Sequence, residues 1–274
     1  MPKTPNALAS PRDERTTWPT PMPDDHPLLR KLDALSPLSD EDRRFLAQVV
    51  AHPMAVPART DLIREGDRPH GVFVIVEGIA CRYKILPDGG RQVLAFLVPG
   101  DFSDLDVDLL EVMDHAVGTL TPCRMVHVPA RTVRDLLDAH LGIARAMRLA
   151  ALGEAATSRQ WLVNLGRRSC EQRLAHVLCE MLVRLRSVGL ASETGYHFPL
   201  TQVDLADATG MTPVHVNRSF KALRERSLIE GWGRSIVIRD VAALEGVAAF
   251  DRAYLHRTGS TGSCSRSAPA GLRA

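Results

Sequence analysis

One change of texture along the chain limits its fold more than any other feature. From about Arg59 to Pro129 it is a series of short β-rich runs, "VFVIVEG", "IACRYKIL", "RQVLAFLV", "HAVGTL" and "CRMVHVPA". Glycine-containing turns, "EGD", "PDGG" and "PGD", punctuate these runs. Short strands at regular spacing with such turns predict a small antiparallel sandwich or roll, and "ILPDGGRQVL" predicts a hairpin within it. After Pro129 the pattern turns helical and stays so to about Gly189. "HLGIARAMRLAALGEAATSRQWLVNLG" is long, alanine-rich and free of proline.

One stripe of that helix runs through Leu141, Ala144, Ala151, Ala155, Ser158, Leu162 and Leu165. It reads either as a dimer seam, with small residues allowing close approach, or as the side packed on its own domain. A second amphipathic helix follows in "CEQRLAHVLCEMLVRLRSVG", with Leu174, Val177, Leu178, Met181, Leu182 and Leu185 on one side. Ahead of the roll, "SDEDRRFLAQVVA" predicts a helix capped by Ser39, with Asp40, Glu41 and Asp42 at its positive end.

The most informative segment is "GMTPVHVNRSFKALRERSLIEG", Gly210 to Gly231. Proline breaks a helix interior but fits its first position, where the missing N–H costs nothing. Thr212 is placed to cap a helix that starts at Pro213. Just before it, "LTQVDLADATG" predicts a short helix capped by Thr201, with Asp204 three residues on, and a turn at Gly210. In the second helix Val216, Phe220 and Leu223 share a core face, while Asn217, Arg218, Lys221 and Arg224 point away. Two capped helices with a basic second one form a helix-turn-helix pattern, and "LIEGWGRSIVIRD" adds a wing. An ordinary αα-hairpin with a solvated basic face is the alternative.

With 274 residues and a net charge of +2, the chain is long enough for two domains and has no global field favouring a polyanion or a membrane. No apolar run approaches membrane-spanning length, and the N-terminus lacks the apolar core of a secretory signal. The five cysteines, Cys81, Cys123, Cys170, Cys179 and Cys264, are scattered and form no CxxC, which fits a reducing cytoplasm. The expected fold is α+β. A disordered leader (1–27) precedes a jelly-roll-like antiparallel β-roll (28–130) and a long connecting and dimerisation helix (131–168). A winged helix-turn-helix (169–256) and a disordered tail (257–274) complete the chain.

A β-roll, a long helix and a winged helix-turn-helix, in that order, resemble the Crp/Fnr superfamily of bacterial transcription regulators. The resemblance rests on "REGDRPHGVFVIVEGIACRYKILPDGGRQVLAFLVPGDF", similar to the cyclic-nucleotide-binding fold, and on "LTQVDLADATGMTPVHVNRSFKALRERSLI". It implies a homodimer joined along the long helix, bound to two-fold symmetric double-stranded DNA, with RNA polymerase as a protein partner. By that resemblance Arg218 is the guanine-reading residue, with Asn217, Val214 and Pro213 as further base contacts. Thr201, Thr212, His215 and Lys221 are the expected phosphate contacts.

The departures from the family pattern concern the effector. Cyclic-nucleotide binders carry Gly-Glu after "GDF" and Arg-Ser/Thr before the next strand; here Ser103-Asp104-Leu105 and Asp114-His115 stand there. The loop between holds Asp104, Asp106, Asp108, Glu111 and Asp114 without a Lys or Arg, which would repel a cyclic phosphate and disfavours cyclic AMP. Ser103, Asp104, Asp114 and His115 remain the candidate effector pocket, for an unknown small molecule. A redox event at Cys81 or Cys123 and a cyclic nucleotide in an unusual pose are the other possibilities. No cysteine precedes Cys81, so the iron–sulfur ligands of the oxygen-sensing branch are missing, and haem is not supported by lone histidines. Val214 replaces the Glu that both well-known branches use to read cytosine. The alternating aspartates lack the spacing of a calcium loop and read as a solvated edge, while His176 and Cys179 read as helix core. No nucleophile–base pair, phosphate loop or ligand set supports an enzyme.

Overall fold

The computed structural model describes residues 26–105, 109–231 and 233–255. Most of the expected leader, the expected tail, Asp106 and Asp108 lie outside them. Pro27, assigned above to the leader, is instead the first residue of α1 (Pro27–Leu35). Its ring fits the first helical position, and the His26 ring nitrogen accepts from the Leu28 N–H at 3.2 Å. Leu28, Leu29 and Leu32 are then buried on one stripe. The helix expected at Ser39 follows as α2 (Asp40–Val49), with Ser39 and Asp42 forming a reciprocal capping box.

The roll comprises β1 (Met54–Val56), β2 (Asp61–Ile63), β3 (Gly71–Glu77), β4 (Ala80–Ile85), β5 (Arg91–Leu97), β6 (Ala116–Thr119) and β7 (Cys123–Pro129). These form two antiparallel sheets, β1-β7-β3 and β2-β6-β4-β5. The β3–β4 turn needs Gly78: its φ is +87°, and a Cβ there would lie 2.4 Å from the Pro122 carbonyl oxygen. In the β4–β5 hairpin Gly89 has φ +84°, and the Leu86 N–H donates to Gly90 O at 2.8 Å across the turn. Between the sheets lie Val56, Ile63, Ile75, Leu97, Met113, Val117 and Met125.

The helical half begins with α3 (Ala130–Ala139) and breaks at His140 before α4 (Leu141–Arg167). His140 is held outside helical geometry by Asp42, whose carboxylate lies 3.0 Å from its Nδ1, and by the Phe45 ring. At 27 residues α4 is about 40 Å long. Ile143, Ala146, Met147 and Ala150 bury its first half against α1, α2 and the β1-β7-β3 sheet. On its outer side Leu141, Leu152, Leu162 and Val163 are 80%, 53%, 70% and 46% exposed. The apolar stripe thus runs through Leu152 instead of the expected Ala151, which packs inward. Ala144 and Leu165 are likewise half-buried.

After Arg168, α5 (Cys170–Ser187) enters the C-terminal half, followed by β8 (Gly195–His197), α6 (Gln202–Thr209) and α7 (Pro213–Glu225). Then come β9 (Ile229–Glu230), β10 (Ser235–Ile238), α8 (Val241–Ala248) and a 3₁₀ turn, Arg252–Leu255. β10 pairs with both β8 and β9, so the expected wing is the edge of a three-stranded sheet. The core of this half is continuous with the roll. Phe96, Cys81 and Val98 of the roll share one cluster with Trp161, Leu174, Leu178, Leu205, Phe220 and Ile236.

Candidate nucleic-acid interface

α6 and α7 form the two-helix unit that the sequence predicts. Thr201 caps α6, accepting from the Asp204 N–H at 3.2 Å. Gly210, φ +61°, ends α6 in the left-handed conformation that glycine tolerates. Thr212 caps α7 by accepting from the His215 N–H at 3.3 Å, with Pro213 at the first position. Val216, Phe220 and Leu223 are fully buried and fix the rotation of α7 about its axis. That rotation turns Pro213, Val214, His215, Asn217, Arg218 and Lys221 outward, all exposed.

The charges on this face differ in how far they are committed. Arg226 is tied to Glu171 of α5 at 2.5 Å, so it is partly neutralised and held to the side. Lys221 lies 3.6 Å from Glu225, one turn on, in an exposed pairing of little strength. A helix face with an exposed Arg and Asn over its first two turns can present a bidentate donor to guanine and an amide to a base edge. Arg234, exposed on the β9–β10 turn, is a further cation that the sequence reading does not single out.

The expected phosphate contacts are differently equipped. The Thr201 hydroxyl donates to Asp204 Oδ2 at 2.7 Å, and the Thr201 N–H meets the same oxygen at 3.0 Å. Its donors are therefore used inside the cap. The N–H groups of Gln202 and Val203, in the first turn of α6, are the donors left for an anion. Thr212 Oγ1 and the His215 ring nitrogen lie 3.2 Å apart and share a hydrogen bond.

Three of the four effector candidates come together, His115 lying between Asp104 and Asp114, while the Ser103 hydroxyl is taken up by the backbone of the roll. Ser103 is fully buried and structural: its hydroxyl accepts from the Phe73 N–H at 2.9 Å. His115 is buried, with Nδ1 2.6 Å from the Asp114 carboxylate and Nε2 3.9 Å from that of Asp104. Asp114 is 86% exposed, and its hydrogen bond to His115 holds its carboxyl below the usual range. A cavity of about 50 Å³ lies elsewhere, between β4, β5 and α4. Arg82, Asp101, Glu154, Thr157, Ser158 and Arg184 line its polar side. Arg82 bridges the two halves of its wall, donating to Ser103 O at 2.7 Å and to Glu154 of α4 at 2.8 Å. No local motif marks Arg82 or Glu154, because strand pairing and helix docking bring them together across 72 residues.

The thiols offered as redox sensors sit badly for that role. Cys81 and Cys123 are 1% and 4% exposed, and burial pushes their thiols up to about 12 and about 11. A reactive cysteine needs thiolate character and access, and both are lacking. His176 and Cys179 lie in the core of α5. Among the described residues no group of three His, Cys, Asp or Glu could hold a metal ion, and no helix is long and apolar enough to cross a membrane.

Comparison with known proteins agrees with this arrangement. Residues 172–247 match the Crp-like helix-turn-helix domain, and residues 53–140 match the cyclic nucleotide-binding domain. The chain is 30% identical over 186 residues to the nitrogen fixation regulation protein FixK of Bradyrhizobium diazoefficiens, covering 68% of this chain and 77% of FixK. It is 28% identical over 216 residues to the transcriptional activatory protein AadR of Rhodopseudomonas palustris, covering 78% and 87%. The solved structure of FixK2 from Bradyrhizobium japonicum shares the fold, with a TM-score of 0.63 at 24% identity over 74% of this chain and 99% of that one.

Proposed function

The chain belongs to the Crp/Fnr family of DNA-binding transcription regulators, and on that premise we propose that it acts in the cytoplasm as a homodimer on a two-fold symmetric DNA site. One observation carries the reading: two faces of opposite character are uncovered together. The apolar stripe of Leu141, Leu152, Leu162 and Val163 on α4 suits a second copy of the same helix, since large apolar side chains gain by leaving water. The basic face of α7 suits DNA. Pairing two α4 helices about a two-fold axis would bring two α7 helices to successive major-groove segments, roughly 34 Å apart.

In this reading Arg218 contacts guanine, Asn217 an adjacent base edge, and Val214 and Pro213 a thymine methyl. Lys221, His215 and Thr212 approach phosphates, as do the Gln202 and Val203 N–H groups beside Thr201. RNA polymerase is the protein partner we assign, by analogy with AadR as a transcriptional activatory protein. A small effector would act through the cavity between β4, β5 and α4. Its cations are already paired to carboxylates, whereas Glu154 Oε1 has no hydrogen-bond partner among the described residues. A neutral or donor-bearing molecule therefore fits better than a cyclic phosphate.

DNA selection from a random-sequence pool, repeated with Arg218→Ala, tests the proposal. The expected result is a two-fold symmetric motif whose half-site guanine preference weakens in the variant, at a cost of about 1–3 kcal/mol. A pool that stays random with and without added small molecules would overturn it.

A further inference from the structure

Besides the apolar core that they share, two groups of polar contacts tie the DNA-binding half to the roll, one dry and one wet. The dry contact is Arg184 of α5, which donates to Asp101 at 2.6 Å, to Phe96 O at 2.7 Å and to Glu180 at 3.0 Å. Lys31 of α1 closes on Asp101 from the other side at 2.7 Å. All four side chains are at most 10% exposed, so water is largely excluded from this contact.

The wet contact grips α6. Arg59, on the turn between β1 and β2, donates to both carboxylate oxygens of Asp204, at 2.5 and 2.8 Å. Arg91, at the start of β5, donates to Asp207 at 2.7 Å and to Asp204 at 3.1 Å. The Asp204 side chain is 1% exposed and that of Arg59 45%, so one end is anchored and the other open to water. Arg59 also has φ +59°, a left-handed conformation that residues with a Cβ seldom adopt. Its N–H is fixed to Thr119 O at 3.0 Å, which keeps the turn in place while the guanidinium reaches α6.

Asp204 and Asp207 lie within two turns of the N-terminus of α6, where Gln202 and Val203 offer their N–H groups. Uncompensated, these carboxylates would repel a phosphate backbone arriving there. The two arginines cancel them. With α6 held in this way, Asn217, Arg218 and Lys221 of α7 remain exposed, so docking against the roll leaves the reading face free. We propose that Arg59 and Arg91 form a clamp by which the roll both orients α6 for DNA engagement and neutralises its carboxylates. A change in the roll then reaches the DNA through the β1–β2 turn and the start of β5. The inference rests on the DNA-binding reading above and adds to it the residues that couple the two halves.

The docking half is measured without DNA. A double-mutant cycle on Arg91→Ala and Asp207→Ala, followed by urea unfolding, should give a coupling that shifts the unfolding constant about two- to fivefold. Strictly additive single variants would overturn the clamp. For the DNA half, Arg59→Ala/Arg91→Ala should bind the selected site about tenfold more weakly than the parent. The charge swap Arg91→Asp/Asp207→Arg, which keeps the net charge, should recover most of what Arg91→Asp loses. A double-alanine variant that binds as tightly as the parent, or more tightly, overturns the proposal; tighter binding would make the contact a brake. A parent chain that selects no DNA would sink the DNA-binding reading, while the cycle would still decide whether the clamp exists.

Discussion

His176 offers a quantitative test of how the DNA-binding half is packed. It sits in α5 with no exposed surface, stacked on Tyr254 and edge-on to Phe250, and among the described residues neither ring nitrogen has a hydrogen-bond partner. Burial, with a smaller contribution from Arg168, lowers its pKa from 6.5 to about 3. Because the folded value lies below the unfolded one, the unfolded chain binds the extra proton first. Stability is therefore whole above about pH 6.5, falls as pH drops below it, and stops falling only near pH 3. Between pH 7 and pH 5 this one group should cost about 2 kcal/mol. His176→Leu removes the titration and two unsatisfied nitrogens at similar volume, at the expense of the ring contacts. His26, buried with a pKa of about 4, contributes a similar slope to both proteins, so the comparison is between the parent and the variant. Urea unfolding at a series of pH values is the assay. The difference in stability between variant and parent should move by about 2 kcal/mol in favour of the variant from pH 7 to pH 5. Parallel curves would refute the reasoning, because they would mean that His176 is hydrated or partnered in solution.

Other expectations follow from the same geometry. Arg184→Ala would leave Glu180 buried without its cation and Asp101 with Lys31 alone, and should destabilise the protein by about 3–5 kcal/mol in urea unfolding. Leu162→Glu places a charge on the exposed stripe of α4; sedimentation should show a shift from dimer to monomer with the fold retained, and DNA affinity should fall with it. Cys81, Cys123 and Cys179 should resist alkylation in the folded protein and react on unfolding, as read by mass spectrometry, whereas the half-buried Cys170 reacts more readily.

Much of the candidate interface was legible in the sequence because its signals are local. A Ser or Thr with an acid three residues on, a proline at a first helical turn and a glycine at a helix end each act within a few residues. They placed α2, α6 and α7 correctly, and the spacing of Val216, Phe220 and Leu223 was enough to say that Arg218 faces outward. α1 was not expected from the sequence at all, for a related reason. Pro27 closes a proline-rich run and also opens a helix, and only the burial of Leu28, Leu29 and Leu32 against the roll decides between the two.

The register of the α4 stripe needed tertiary structure, because small residues pack on either side and the sequence does not say which side the domain itself takes. The cavity required it too: Arg82, Asp101, Glu154 and Arg184 come from four separate elements, and no spacing rule joins them. The same holds for Arg59 and Arg91, which lie 145 and 113 residues from Asp204. The sequence by itself determined the order of the elements and the chemistry of the recognition helix, since capping, turns and helical period depend on near neighbours. Only the tertiary structure decided which charges are paired and how the roll holds the DNA-binding half. Those outcomes depend on desolvation and on distances set by the docking of elements far apart in the chain.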